Sequence, residues 1–216
     1  MAYTLIQNGE SFSFPEPHAF TQAADPHANA SVFIGTDAGK AYAAQAAALT
    51  AQTFVAIELD VECLGVHTGE DTGPSNVVGF ARFRLGDDAP TNLVELVKKT
   101  FTDPLAVQAA KSAFEAAGFK VAVCNDFPGR ILNRLIRPYY NAALRRLDEQ
   151  LATADDMDKT LCLGLGYPEG PITLLNRSGL HHHYRVSKAL YEALGQEPYA
   201  PARRAQVAWA RRQEGQ

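Results

Sequence analysis

The chain has 216 residues, is 46% hydrophobic and 20% charged, and carries a formal charge of −4. At about 100–200 residues per domain it holds one domain or two small ones. Its longest uncharged apolar run falls far short of the ~18 residues of a spanning helix, so it is expected not to be a membrane protein. The opening MAYTLIQNGESFSF lacks the positive stretch and apolar core of a secretory signal. Cys63, Cys124 and Cys162 lie far apart, form no metal or redox spacing and are odd in number, which points to a reducing, cytoplasmic setting without a disulfide framework. Residues 1–81 carry nine acidic residues against one basic, Lys40, a net −8, and the rest of the chain is +4. That acidic third is a poor surface for polyanions, and the scattered basic excess gives no nucleic-acid footprint.

In chain order, residues 1–30 carry turn residues and little periodicity, with one short strand at Tyr3–Ile6. Ser31–Ile34 reads as a strand, Gly35–Gly39 as a turn, and the Ala-rich Ala38–Leu49 as a helix. Thr53–Asp60 is β-branched and apolar, a strand; residues 65–76 are loop; Val77–Phe83 and Asn92–Val97 are two more strands. Asp103 before Pro104 is an N-cap followed by proline at the first helical position, and Gly118 closes that helix. Lys120–Cys124 is a further strand. Strands alternating with helices predict a parallel α/β sheet up to Asp126.

After Pro128-Gly129 the period changes. Leu132, Leu135, Tyr139, Ala143, Leu147 and Leu151 recur three or four apart, one face of a helix of about twenty residues. Thr153 with Asp156 resembles a capping box opening the next helix. Pro171 starts another, closed by Gly179; Tyr184–Leu194 is a fourth; Pro201 starts the last. The expected organisation is therefore an α/β domain over 1–126 and a helical domain over 127–216.

Three stretches could carry chemistry. Gly35-Thr-Asp-Ala-Gly-Lys40 sits between a strand and a helix, but its spacing fits neither phosphate-loop template, and Asp37 would repel a phosphate; a plain turn is expected. His181-His-His183 are consecutive, so on a helix they point about 100° apart and cannot converge on one metal. No His accompanies a Ser or Cys nucleophile with a hydrolase signature. The most specific stretch is Asp126-Phe-Pro-Gly-Arg-Ile-Leu-Asn-Arg134: an acidic strand end, a Pro-Gly turn, and Asn133 one helical turn on. It reads as a domain hinge, with Asn133 equally structural or functional.

This stretch resembles the junction of the 3-hydroxyacyl-CoA dehydrogenase family, Asp-x-Pro-Gly-Phe-Ile-x-Asn-Arg. The likeness continues through Arg137-Pro-Tyr-Tyr-Asn-Ala-Ala143, Ala152-Thr-Ala-Asp-Asp-Met-Asp158 and Leu163-Gly-Leu-Gly-Tyr-Pro-Glu-Gly-Pro171 to Gly179-Leu180, and so covers about 120–200. Upstream, Val77-Val-Gly-Phe80 is similar to the family's V-V-G-L strand and Asn92-Leu-Val-Glu-Leu-Val97 to its K-L-V-E-V-V. The resemblance implies a truncated Rossmann-like parallel sheet followed by a helical dimerisation domain.

The departures bear on activity. The family's Gly-rich loop, which holds the NAD pyrophosphate, has no counterpart, so the resemblance leaves no cofactor expected; NAD belongs to the alternative that the chain is an active enzyme of fatty-acid or aromatic-acid degradation. The family's general base, a His after the V-V-G-L strand, is matched by Ala81. The Glu that orients it is matched by Glu95, and the junction Asn by Asn133; these two are the catalytic remnants. Glu58 and Asp60 stand where the family has an Asn-Thr-Ser run, and would repel an anionic acyl-CoA or cofactor. Loss of a general base costs about 10²–10⁴ in rate. Some bacterial dehydrogenases of the family carry a complete module and then a reduced one, and the chain is similar to the second. The expectation is a non-catalytic module that pairs with a copy of itself or with a complete 3-hydroxyacyl-CoA dehydrogenase, through an apolar face with Tyr139, Tyr140 and Leu144, and that contributes to acyl-CoA binding. In the alternative, His67 replaces the missing base. Nucleic-acid and membrane partners are not expected.

Overall fold

A computed structural model describes residues 2–215. Two compact units emerge. One runs to Arg84 and resumes over Ala89–Ile131; the other combines Leu85–Asp88 with the chain from Leu132 onward. The division falls at Ile131/Leu132, five residues beyond the break expected after Asp126.

The first unit holds six strands: β1 (Thr4–Gln7), β2 (Ser31–Ile34), β3 (Val55–Glu58), β4 (Val77–Arg82), β5 (Leu93–Lys98) and β6 (Lys120–Asn125). Its helices are α1 (Ala19–Gln22), α2 (Ala38–Ala43), α3 (Gly65–Thr68) and α4 (Pro104–Ala116). The strands lie side by side in chain order, β1 to β6. Every side chain of β2, β3 and β4 is buried, because helices or loops cover both faces of the sheet. Alternation splits these strands between two cores. Val32, Ile34, Phe54, Ala56, Val78 and Phe80 meet α4 and a stack of phenylalanines. Phe33, Val55, Ile57, Val77 and Val97 meet Tyr42 of α2. Continuous apolar runs are how a doubly covered strand reads in sequence.

The sheet is mostly parallel as expected, with one exception: β4 and β5 pair antiparallel while the other four pairs are parallel. Only ten residues separate Arg82 from Leu93. A parallel return needs a crossover of a dozen or more residues, usually a helix, and this connection has none. Two further expectations shift. The Ala-rich segment is α-helical only over Ala38–Ala43 and ends in a 3₁₀ turn, Ala46–Ala48. The loop at 65–76 opens with the single turn of α3. The Asp103 cap forms as expected, its carboxylate accepting from the Leu105 N–H at 2.9 Å.

The second unit contains α5 (Leu132–Asp148), α6 (Ala154–Leu165), α7 (Pro171–Ser178), α8 (Leu180–Leu194) and α9 (Arg203–Glu214). Thr153 caps α6 through the Asp156 N–H, but the Asp156 carboxylate takes the Thr153 hydroxyl at 2.7 Å rather than a backbone N–H. Helix α8 starts at Leu180, so the three histidines lie inside it and four residues precede the expected Tyr184 start. Segment Leu85–Asp88 is held here by Arg177, whose guanidinium takes both oxygens of Asp88 (2.7 and 2.8 Å), and by His182 on Asp87 (3.2 Å). Gly86, at φ +60, packs so closely that a Cβ there would collide with the Ser178 carbonyl.

Of the stripe expected on α5, Ala143 is buried. Leu135 and Leu151 of the predicted stripe are exposed, and Leu132, Tyr139 and Leu147 are half-buried. The buried set includes the polar residues Asn133, Arg137 and Asn141, spaced four apart, with Tyr140 and Leu144. Tyr140 and Leu144 therefore belong to the unit's own core and are withdrawn from the expected pairing face.

Candidate functional site

The β4–β5 register places Ala81 directly opposite Glu95. Cross-strand partners share a face of the sheet, so Ala81 presents a methyl group where the matched family position has an imidazole. Glu95 is 2% exposed. Its Oε1 accepts the Ile131 N–H at 2.9 Å, immediately before α5, and its Oε2 lies 3.6 Å from Arg130 Nε. A carboxylate on an amide at the start of a helix satisfies a donor that the helix itself cannot.

The junction is tied to the loop after β3. Asp126 accepts the N–H groups of Leu64 and Gly65, both at 2.8 Å. The Gly129 N–H reaches the Val61 carbonyl at 2.7 Å, and Arg130 donates to the Asp60 carbonyl. Gly129 and Arg130 both take positive φ, 73° and 53°, which turns the chain sharply toward α5.

His67 bonds Glu62 at 3.2 Å. Burial works against ionisation of Glu62, but the His67 hydrogen bond and nearby backbone N–H groups hold its carboxyl below the usual range. His67 thus bonds Glu62, while Glu95 accepts the Ile131 N–H and lies beside Arg130. Burial pushes the Cys63 and Cys124 thiols each up to about 11, far from the thiolate a nucleophile needs.

Asn133 lies in the helical unit, 8% exposed, where its Oδ1 accepts from Arg137 Nε at 2.9 Å. The network continues: Arg137 Nη1 to His183 Nδ1 at 3.1 Å, His183 Nε2 to Asn141 Oδ1 at 2.9 Å. Arg137 can only donate, so His183 Nδ1 accepts and Nε2 carries the proton toward Asn141. Burial and then the Arg137 charge lower the His183 pKa well below 6.5, and burial brings Arg137 down to about 10. His181, His182 and His183 point to Arg212, Asp87 and Arg137 respectively, three directions as their spacing requires. Among the described residues no cluster of His, Cys, Asp or Glu could hold a metal ion.

Sequence reasoning missed what two buried carboxylates bond. Asp158 accepts the Ile172 and Thr173 N–H groups at 2.9 and 2.8 Å and so caps α7 across twelve intervening residues. Glu58, 6% exposed, is held by Ser11, Ser13 and Gly35. The one signal for Glu58 was a charged residue closing the apolar strand Val-Ala-Ile-Glu.

The profile of the 3-hydroxyacyl-CoA dehydrogenase C-terminal domain matches residues 129–215. A 3-hydroxybutyryl-CoA dehydrogenase of Bradyrhizobium diazoefficiens is 34% identical over 109 residues, 50% of this chain and 37% of that protein. A 3-hydroxyadipyl-CoA dehydrogenase of Escherichia coli K12 is 33% identical over 129 residues, 59% of this chain and 26% of its own. The matches span less than half the length of these curated relatives. The crystal structure of a 3-hydroxybutyryl-CoA dehydrogenase from Escherichia coli K12 superposes with a TM-score of 0.71 at 26% identity, covering 89% of this chain and 40% of that one. The helical half thus matches the 3-hydroxyacyl-CoA dehydrogenase C-terminal domain, and the fold as a whole is similar to that of a solved 3-hydroxybutyryl-CoA dehydrogenase.

Proposed function

We propose that this chain is a non-catalytic module of the family, paired through its helical unit with a second copy or with a complete 3-hydroxyacyl-CoA dehydrogenase. The observation that carries the reading is Ala81 opposite a Glu95 whose carboxylate is spent on Ile131 and Arg130. A methyl group takes no proton, and an orienting carboxylate without a base orients nothing. The alternative, an active NAD-dependent dehydrogenase, draws on the retention of Glu95 and Asn133 and requires a base other than Ala81; His67 is engaged by Glu62.

The residues present do not fit a nicotinamide dinucleotide. A doubly wound sheet binds dinucleotides in the crevice where its strand order reverses, on a glycine-rich turn. Here the order runs from β1 to β6 without reversal. The N–H groups of the β2–α2 turn are already bonded: Gly35 to Glu58, Thr36 to the Glu10 carbonyl and Asp37 to the Asn8 carbonyl.

The pairing face is the apolar side that α5 leaves uncovered. Leu135 is 68% exposed and one turn from Tyr139, whose ring meets that of Tyr167 edge-on at 6.0 Å. Leu163 and Leu165, just before Tyr167, are also exposed. Exposed leucines and a tyrosine pair suit a subunit interface. Acyl-CoA contact would fall to Asn133, the residue matched to the family's substrate-side Asn. One preparation tests the reading. NADH oxidation with acetoacetyl-CoA stays at background, sedimentation equilibrium gives a dimer, and Leu135→Asp shifts it toward monomer. Turnover, or a wild type that is monomeric alone and beside a complete dehydrogenase, would contradict it.

A further inference from the structure

Glu58 ends β3 at the carboxyl edge of the parallel strands, the edge where open α/β sheets receive ligands. Its carboxylate is buried, and no Lys or Arg pairs with it among the described residues. Neutral donors converge on it instead. Ser11 Oγ lies 3.0 Å from Oε1 and 2.8 Å from Oε2, the Ser13 N–H donates to Oε1 at 2.6 Å, and the Gly35 N–H donates to Oε2 at 2.6 Å. A buried charge is tolerable only when such donors are in place.

These donors come from two separate segments. Ser11 and Ser13 belong to the stretch after β1, which crosses the strand ends. The Phe14 N–H bonds Ser11 Oγ at 2.9 Å, and Arg82 Nη1 bonds the Ser13 carbonyl at 2.7 Å. The same stretch covers the turn after β2, through Thr36 N–H to the Glu10 carbonyl (3.0 Å) and Asp37 N–H to the Asn8 carbonyl (3.1 Å). Approach is so close that a Cβ on Gly35, at φ +105, would collide with the Asn8 carbonyl. Every N–H of the turn from Gly35 to Ala38 is thereby bonded inside the unit.

We propose that residues 8–14 and Glu58 form a built-in latch that seals the carboxyl ends of β1–β3, with the Glu58 carboxylate as an internal anion in place of an external ligand. The proposal deepens the cofactor-free reading, on which it rests, by naming what occupies the carboxyl edge of the sheet. Removing the carboxylate leaves a hole of one carboxylate's size facing unpaired N–H and hydroxyl donors. A small carboxylate, acetate, fits that hole.

The test uses the full chain as wild type, Glu58→Ala and Glu58→Gln, melted in sodium acetate and in sodium chloride of equal ionic strength. Glu58→Ala melts below wild type, and acetate raises its Tm by several degrees more than chloride does. Acetate leaves wild type unchanged, and leaves Glu58→Gln unchanged because its amide fills the space. Equal acetate responses in wild type and Glu58→Ala, or none in either, would overturn the latch and leave the cofactor-free reading standing. Should Glu58→Ala fail to fold, hydrogen exchange on the wild type decides: the Ser13, Gly35, Thr36 and Asp37 amides exchange slowly as one block, and surface-loop rates there would overturn the latch. NADH binding to wild type with those amides unmoved would overturn the cofactor-free reading while upholding the latch.

Discussion

Four carboxylates serve the backbone in the fold. Glu58, Glu95, Asp126 and Asp158 each accept at least one main-chain N–H. This gives opposite expectations for Glu95 under the two readings. A residue kept for catalysis in an unsuitable setting can be replaced without loss of stability. One that holds the Ile131 N–H beside Arg130 cannot. Glu95→Gln is therefore expected to destabilise by about 1–3 kcal/mol, because it leaves buried donors poorly paired; urea unfolding measures it, and an unchanged midpoint would contradict the structural role. The Arg137–His183 contact makes a pH prediction. His183 is held neutral in the fold, its pKa well below 6.5 because of burial and Arg137, with Tyr140 and Arg185 also near Arg137. In the unfolded chain it titrates near its ordinary value, about 6.5. The unfolded state therefore binds the extra proton, so this contribution to stability is complete above pH ~6.5 and declines as the pH falls below it. Melting curves between neutral and acid pH should fall less steeply for His183→Leu than for wild type; parallel curves would contradict the assignment.

At the scale of elements, α5 explains why its motif takes the form it does. Pro138 lies inside the helix and has no N–H for the carbonyl of Arg134, four residues back. Tyr199 supplies the missing donor, its hydroxyl 3.1 Å from that carbonyl. Tyr199→Phe should cost about 1–3 kcal/mol by leaving the carbonyl unpaired, measured as a lower Tm with unchanged helical circular dichroism; no change would mean that water replaces the hydroxyl. Local signals made several elements legible in the sequence: the Asp103-Pro104 start and Gly118 end of α4, the Pro171 start of α7, and the strands β2, β3 and β4. Packing hid others. The leucine stripe of α5 has the period of a buried face, yet the unit buries Asn133, Arg137 and Asn141. Period shows that a helix has an apolar side; it does not show whether that side meets its own chain or another.

For the whole molecule, the likeness of the helical half to the dehydrogenase C-terminal domain and the two-unit division were legible because contiguous motifs carry them. The antiparallel β5 was less so, since strand direction depends on the connection rather than on the strand's own residues. At the candidate site the pairing of Ala81 with Glu95 followed from two adjacent strands, but the bonding around Glu58 was not legible. Nothing local links Ser11 to Glu58 across 47 positions. The same limit hid the cap that Asp158 gives to α7, and the placement of Leu85–Asp88 in the helical unit. In the proposed function the chain has exchanged cofactor chemistry for internal bonding and an assembly role. Calorimetric titration of NADH into the purified chain tests it most directly. No saturable heat of binding is expected, whether or not acetoacetyl-CoA is present. Saturable, stoichiometric NADH binding would contradict the claim and return the chain to the active dehydrogenases.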